Sequence, residues 1–188
     1  MRGYKSEGII LRRVNSGEAD RILTIFSKSQ GKVRVKAKGV RKITSKKAGS
    51  IEQFNLIKFS VAKGHVLDVV TETYALNTFP HLRHNLTLVG VAYHFCELVD
   101  RLLPEHQENS AVLALLLAHL DLLNSSTDLS HLSQQVKIFE TQLLSLLGFG
   151  LPQPLTQQAL VNHIESILEK PLKSRRFLLR IATSSSPE

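Results

Sequence analysis

Cysteine is nearly absent from this chain, and tryptophan is absent altogether. The 188 residues contain one cysteine, Cys96, and no Trp. A single thiol cannot form an internal disulfide, and it cannot supply the pairs or quartets of thiolates found in common structural zinc sites. We therefore expect a protein without bound metal that resides in a reducing compartment such as the cytosol.

Long apolar runs are also lacking. The first twenty residues do not contain the apolar core of a signal peptide. The most apolar stretch, 111–123, is interrupted by His119 and Asp121 and is too short to span a bilayer. We therefore expect a soluble cytoplasmic protein with no membrane partner, in which this stretch forms a central, buried helix.

No complete catalytic motif is present. The chain contains no GxxxxGK[ST], GxGxxG or HExxH sequence. His81 and His84 lack a third metal ligand, and Cys96 falls on the apolar side of a predicted helix, as inert buried thiols do. The sequence therefore predicts neither an enzyme nor a cofactor. A nuclease or other small enzyme remains an alternative, which a metal-dependent turnover assay would reveal.

Acidic residues are scarce in the first half of the chain. Residues 1–78 carry a net charge of +10 and residues 79–188 a net charge of −2, which together give the overall +8. The hydrophobic periodicity changes at the same point. We therefore expect two domains, 1–78 and 79–188.

The first half has the pattern of strands. Five short segments rich in Val, Ile, Phe and Thr are separated by glycines, and Lys63-Gly64 between the last two indicates a tight hairpin. Five strands in fewer than 80 residues suggest a small barrel or sandwich, and strand count alone does not separate an OB-type from an SH3-like barrel. For the aromatic residues of this half, core positions are favoured, and the alternative is a stacking platform for unpaired bases. These aromatic residues are Phe26, Phe54, Phe59 and Tyr74.

The second half has the pattern of helices. Apolar residues at spacings of three and four predict helices over 88–102, 109–124 and 129–146, the last followed by Gly148 as a C-terminal cap. Thr156 is a plausible N-cap for a fourth helix ending near Glu169, and a short basic helix is predicted over 172–181. The fold class is therefore α+β, with a β-domain followed by an all-α domain.

The strongest local feature is the acid-free segment 31–47. In its strand, Val33, Val35 and Ala37 alternate with cations, so that the cations share the opposite face. Such a row is favourable when a polyanion lies across it, since phosphate neutralisation releases counterions. We predict that this face is a DNA-binding surface. Arg12 and Arg13 are adjacent and point to opposite faces of their strand, so one of them extends the patch, and we include Arg12. The predicted residues are Arg12, Lys32, Arg34, Lys36, Lys38, Arg41, Lys42, Lys46 and Lys47.

Two other binding functions stay open. A cationic barrel does not reveal which sugar its ligand carries, so a stand-alone RNA-binding protein is an alternative that competition between DNA and RNA oligonucleotides would test. A purely structural interaction protein would show little salt-sensitive affinity for DNA.

Several segments in the right order resemble the RecO family of recombination mediators. They include Glu7-Gly8-Ile9-Ile10-Leu11-Arg12, Gly17-Glu18-Ala19-Asp20-Arg21, Ala37-Lys38-Gly39-Val40-Arg41-Lys42, Glu97-Leu98-Val99-Asp100-Arg101 and Pro171-Leu172-Lys173-Ser174-Arg175-Arg176. The resemblance implies an N-terminal five-stranded OB fold, a helical domain and a role in recombinational repair. It also implies binding of single- and double-stranded DNA, strand annealing, and action with RecR, the single-strand-binding protein and the recombinase RecA, on the nucleoid.

Within this resemblance, some residues have structural explanations. Gly39 is expected to end the basic strand in a turn, and Asp20 and Arg21 to orient a loop by hydrogen bonding. Many family members carry a four-cysteine zinc module after the segment that here ends at Phe149. The present sequence continues directly to the next helix without those cysteines, so zinc binding is not carried over.

The C-terminal cations form a second predicted site. The resemblance implies contact with the acidic, hydrophobic tail of the single-strand-binding protein, and arginine can bind a carboxylate through two parallel hydrogen bonds. We therefore expect Lys173, Arg175 and Arg176 to contribute to a partner-binding surface. The alternative is a terminal helix whose cations are only solvated.

Overall fold

The structure is a computed structural model that describes residues 3–45, 47–175 and 177. Five strands precede five helices. The strands are β1 (Tyr4–Ser16), β2 (Asp20–Ser27), β3 (Gly31–Ala37), β4 (Leu56–Ala62) and β5 (Asp68–Asn77). The helices are α1 (Pro80–Arg83), α2 (Leu86–Leu102), α3 (Ser110–Ser125), α4 (Leu132–Leu146) and α5 (Gln157–Leu168).

The described residues form two compact units. The first contains the residues up to Phe79 together with Leu103–Leu113, and the second contains Pro80–Leu102 and the residues from Ala114 onward. The connection between α2 and α3 therefore groups with the barrel, although it lies within the predicted helical domain. The predicted division into independent domains, 1–78 and 79–188, remains a prediction.

The strands close into a barrel in the order β1-β2-β3-β5-β4. All neighbours are antiparallel except β3 and β5, which pair in parallel through Val35 and Lys36 with Asp68 and Val69. The predicted OB-type barrel is confirmed. The Lys63-Gly64 hairpin does join β4 to β5, but its loop spans five residues, 63–67.

The barrel core contains the apolar residues that the alternation in the basic strand predicted. Val33, Val35 and Ala37 of β3 are at most 3% exposed and belong to the core, with residues of every other strand. Phe26, Phe54 and Phe59 are also buried. Tyr74 departs from the expectation for aromatics, because its side chain on β5 is 63% exposed.

A bulge in β1 decides which of two adjacent arginines faces outward. The register of β1 against β2 shifts between Ile10 and Arg12, so that Arg12 lies opposite Thr24 and Arg13 opposite Leu23. Leu23 is a core residue and Thr24 is on the outer face. Arg12 therefore projects outward, while Arg13 lies on the inner side at the barrel end and pairs with Glu52 at 2.5 Å.

The connection between α2 and α3 runs beside the start of β3. His106 N donates to Lys32 O at 2.9 Å, and Glu105 forms an isolated parallel bridge with Lys32. Gly31, at φ +61°, lies so close to the backbone of Gln107 that a β-carbon would stand 2.2 Å from its carbonyl oxygen. This close approach requires glycine at position 31.

The helix ends follow the predicted capping residues. Thr156 Oγ1 accepts a hydrogen bond from Ala159 N at 3.2 Å at the start of α5. After α4, Gly148 has φ +77°, and Gly148 N and Phe149 N donate to Ser145 O and Leu144 O, which is a Schellman motif. Both cap predictions are confirmed.

The expectation of a central helix buried on most faces is wrong for α3. Leu116, Leu120 and Leu123 are fully buried, but Leu122 is 52% exposed, and the alanines at 111, 114 and 118 are also exposed. Alanine favours the helix whether or not it is buried, so an alanine- and leucine-rich sequence does not by itself indicate burial all round.

Candidate nucleic-acid interface

The outer face of β1, β2 and β3 carries two arginines in one cross-strand row. Arg12 is paired with Thr24, and Thr24 with Arg34. Residues directly opposite one another share a face, and strands lie about 4.8 Å apart, so the Cα atoms of the two arginines are roughly 10 Å apart. Both side chains are exposed, whereas Thr24 between them is 7% exposed. The row thus presents two exposed cations with a buried threonine between them.

The next row contains Lys36, whose charge is partly neutralised. Lys36 Nζ lies 3.0 Å from Asp20 Oδ2, and Gly39 N donates to Asp20 Oδ1 at 2.8 Å. These contacts, first the backbone hydrogen bond from Gly39 and then Lys36, hold the pKa of Asp20 below its ordinary value. Asp20 therefore orients the loop after β3, as predicted, and remains a carboxylate at neutral pH.

The loop after β3 begins with a glycine turn. Gly39 has φ +67°, which confirms the predicted turn. Arg41 N donates to Ala19 O at 2.9 Å, and Arg41 Nη1 donates to Gly17 O at 3.0 Å, so the loop is tied to the β1–β2 connection. Lys38, Arg41 and Lys42 are exposed. Three of the predicted cations therefore lie together at this end of the barrel.

One cation of the predicted row, Lys32, is not exposed. Its side chain is 8% exposed, beside the α2–α3 connection. Ile9 and Phe26 share its cross-strand row and are fully buried, so this part of the outer face is covered. The exposed cationic face therefore begins at Arg34. A DNA contact by Lys32 remains a prediction that its burial does not favour.

Lys47, another cation of the predicted set, differs from the exposed ones. Lys47 is half-buried, and its Nζ donates to Val70 O at 3.2 Å, which ties the loop to β5. Lys46 lies outside the described residues. Arg21 donates to Asn15 and Glu52, so its role is to hold the β1–β2 end of the barrel, as expected.

Among the described C-terminal cations, the side chain of Arg175 is paired with an acidic residue of the helical unit. Arg175 Nη1 lies 2.6 Å from Glu165 Oε2, and Glu165 Oε1 accepts from Leu172 N at 2.7 Å. Lys173 is exposed, while its backbone N donates to Glu97 Oε1 at 2.8 Å. Arg176 and half of the predicted basic helix, 172–181, lie outside the described residues. The predicted partner surface therefore includes an arginine already paired with Glu165.

Glu97 of α2 anchors this segment. It accepts hydrogen bonds from Lys173 N, from Ser174 N at 3.0 Å, from Ser174 Oγ at 2.8 Å, and from Arg101 Nη1 at 3.3 Å. Burial by itself would raise the pKa of Glu97, but these hydrogen bonds outweigh burial and hold the pKa below its ordinary value. Sequence analysis placed Glu97 and Arg101 only within a segment that resembles the RecO family.

Sequence analysis missed a buried polar network around His94. His94 Nδ1 lies 2.8 Å from Ser174 Oγ, and His94 Nε2 lies 2.9 Å from Glu140 Oε1. Glu140 Oε2 accepts from Gln157 at 2.8 Å, and both His94 and Glu140 are fully buried. A serine, histidine and carboxylate in this order resemble a hydrolytic triad. However, the Ser174 hydroxyl donates to Glu97, so its hydrogen is committed to a carboxylate.

The described residues contain no candidate metal site and no candidate membrane span. Among them, no group of three or more His, Cys, Asp and Glu side chains is placed to hold a metal ion, and no helix has the length and apolarity to cross a membrane. Cys96 is fully buried, and burial raises the pKa of its thiol.

Comparison with known proteins gives matches over both units. The family model "Recombination protein O N terminal" matches residues 1–79, and "Recombination protein O C terminal" matches residues 83–153. The chain is similar to the DNA repair protein RecO of Pelotomaculum thermopropionicum, with 36% identity over 92% of this chain and 64% of that protein. It is 40% identical to the DNA repair protein RecO of Roseiflexus sp. over 79% of this chain and 51% of the relative. The chain thus spans between about half and two thirds of the length of these curated relatives.

Proposed function

The chain belongs to the RecO family, and on that premise we propose that it is a non-catalytic DNA-binding mediator of recombinational DNA repair. It binds single- and double-stranded DNA, promotes annealing of complementary strands and helps to load the recombinase RecA, together with RecR and the single-strand-binding protein. It acts in the cytoplasm, on the nucleoid. The names of its relatives, DNA repair protein RecO, support the repair role.

One observation carries this proposal, namely the exposed cationic face of the barrel. Its members are exposed and, among the described residues, form no salt bridge: Arg12, Arg34, Lys38, Arg41 and Lys42. The face includes Arg34 on β3, and OB folds bind oligonucleotides on the face of their second and third strands. Cations that share a face without bound acids repel one another, and phosphates relieve that repulsion.

A salt titration of DNA binding tests the proposal. With about five phosphate contacts, log affinity for single-stranded DNA should fall with log salt at a slope of roughly −3.5, from a factor of about 0.7 per contact. The double variant Arg12→Gln/Arg34→Gln should make the slope shallower by roughly 1.4. The matched control is Lys5→Gln/Lys58→Gln, which removes the same charge from exposed positions on β1 and β4.

The outcomes separate the alternatives. Equal slopes for the two double variants would refute the assigned face, and the absence of salt-sensitive binding in the wild type would refute DNA binding altogether. A clear preference for RNA in a competition between oligonucleotides of the same sequence would favour the RNA-binding alternative.

We also propose that Lys173 contributes to binding the acidic tail of the single-strand-binding protein, with Arg175 and Arg176 beside it. Support comes from the exposure of Lys173 at the anchored segment. A fluorescent tail peptide should bind the Lys173→Gln variant more weakly than the wild type, while Lys170→Gln, an exposed neighbour, serves as the control. Equal affinities would remove this segment from the tail site.

A further inference from the structure

The tip of the loop after β3 carries an isoleucine that is entirely exposed. The relative accessibility of Ile43 is 104%, the highest among the exposed large hydrophobic residues of the described chain. Isolated exposed apolar residues are common on protein surfaces and need no explanation by themselves. The position of Ile43 within the loop, and its neighbours, distinguish it.

Two successive turns project Ile43 outward. Lys42 N donates to Gly39 O at 3.2 Å, and Ser45 N donates to Lys42 O at 2.9 Å. Ile43 and Thr44 therefore occupy the two central positions of the second turn. Such positions favour Gly, Pro, Asn, Asp and Ser, so a pair of β-branched residues there has no advantage for turn formation.

The surroundings of Ile43 are cationic and otherwise polar. Lys38, Arg41 and Lys42 precede it, and the loop contains no acidic residue before Glu52. Arg41 ties the loop to Gly17 and Ala19, on either side of Glu18, and Asp20 at the start of β2 is engaged by Lys36 and Gly39. An anionic ligand at the tip would thus meet the exposed cations Lys38, Arg41 and Lys42 beside a single apolar side chain.

The small size of this apolar feature favours one kind of occupant. A stable protein partner requires about 800 Å² of surface on each side, including a packed apolar centre. The other large aliphatic residues of the loop, Val40 and Ile51, are at most 1% exposed, so the described part of the loop offers no second exposed aliphatic side chain to form such a centre. A step between two bases accepts one aliphatic side chain, and isoleucine is among the residues that proteins insert there.

We propose that Ile43 inserts between adjacent bases of the DNA whose phosphates contact the flanking cations, and so unstacks that base step. This inference rests on the proposed DNA-binding function. Unstacking separates the faces of two adjacent bases and leaves their pairing edges free for a complementary strand. Ile43 thereby adds a contact with bases to a surface that otherwise contacts phosphates.

The test uses oligonucleotides that contain 2-aminopurine, whose fluorescence rises when the base is unstacked. Binding of the wild-type chain should raise the fluorescence. Ile43→Ala should abolish the rise and weaken binding about fivefold, because much of the apolar area that isoleucine buries between the bases is lost, while the salt slope stays unchanged. Ile43→Met, which keeps a flexible apolar side chain, should restore most of the signal. Leu86→Ala is the control, since Leu86 is 88% exposed in the helical unit.

Each contrary result has a distinct meaning. An equal rise in fluorescence with Ile43→Ala and wild type, at an equal salt slope, overturns the insertion and leaves the proposed DNA binding intact. If the wild type shows no salt-sensitive DNA binding, both the insertion and the proposed DNA-binding function are overturned. Capture of the wild type but not of Ile43→Ala by phosphatidylserine vesicles, without any change in 2-aminopurine fluorescence, would assign the tip to an anionic lipid surface instead.

Discussion

Replacing Glu97 by Gln tests how the helical unit holds its C-terminal segment. Glu97 Oε1 accepts from Lys173 N and Arg101, and Oε2 accepts from the backbone N and the hydroxyl of Ser174. Glutamine has one acceptor oxygen and one amide nitrogen. In either orientation the amide nitrogen therefore faces a backbone N–H group of Lys173 or Ser174, and one of these donors loses its partner.

The magnitude follows from these contacts. The Glu97 side chain is 13% exposed, so water replaces the lost acceptor only in part. Leaving one backbone donor unsatisfied costs about 1–3 kcal/mol, and the lost charge weakens the remaining hydrogen bonds further. We expect the free energy of unfolding to fall by about 2–3 kcal/mol. If the segment with Lys173 and Ser174 detaches before the helical unit unfolds, the lost stability appears as local opening of that segment and not as a lower free energy of unfolding.

The pH dependence has a defined sign. The pKa of Glu97 in the folded chain is lower than its ordinary value of 4.5. A carboxyl group with a lowered folded pKa contributes stability that is fully present above the ordinary value and is lost as the pH falls through the folded pKa. The difference in stability between wild type and Glu97→Gln should therefore be constant near neutral pH and shrink below about pH 4.5.

Urea denaturation and amide hydrogen exchange together measure this effect. The backbone amides of Lys173 and Ser174 should exchange faster in Glu97→Gln, whichever way the loss is distributed. Glu169→Gln is the control, because Glu169 is exposed at the end of α5. Unchanged exchange at residues 173 and 174, with unchanged unfolding free energy, would show that Glu97 does not anchor the segment.

Three further predictions follow from single residues. Lys32→Gln should reduce DNA affinity less than Arg34→Gln, because Lys32 is 8% exposed and Arg34 is exposed; a larger effect at Lys32 in a titration at fixed salt would contradict this. Gly148→Ala should cost about 1–2 kcal/mol of stability in urea denaturation, because φ at Gly148 is +77°. Gly150→Ala, where φ is not positive and no atom lies within 4 Å of the added β-carbon, should cost almost nothing, so equal losses would contradict the cap. Cys96 should react with a thiol reagent only after denaturation, since it is buried and burial raises the pKa of its thiol; rapid reaction of the native chain would show an opening at α2.

Local patterns determined most of the secondary structure. Strict alternation in β3 identified its inner face, because side chains in a strand point to opposite sides in turn. Gly39, Gly148 and Thr156 marked ends of elements, since their special backbone conformation or capping oxygen acts within a few residues. These interactions are short in sequence, so the sequence alone was sufficient to predict them.

Contacts between distant segments were decided only by the tertiary structure. The bulge in β1 selected Arg12 over Arg13 for the outer face, and the α2–α3 connection, more than 70 residues away, covered Lys32. Glu97 likewise meets Ser174 across 77 positions. A side chain's exposure depends on which remote backbone packs beside it, and periodicity carries no information about that neighbour. The sequence by itself therefore determined that the barrel is cationic on one strand face, while the tertiary structure decided which of those cations reach the surface.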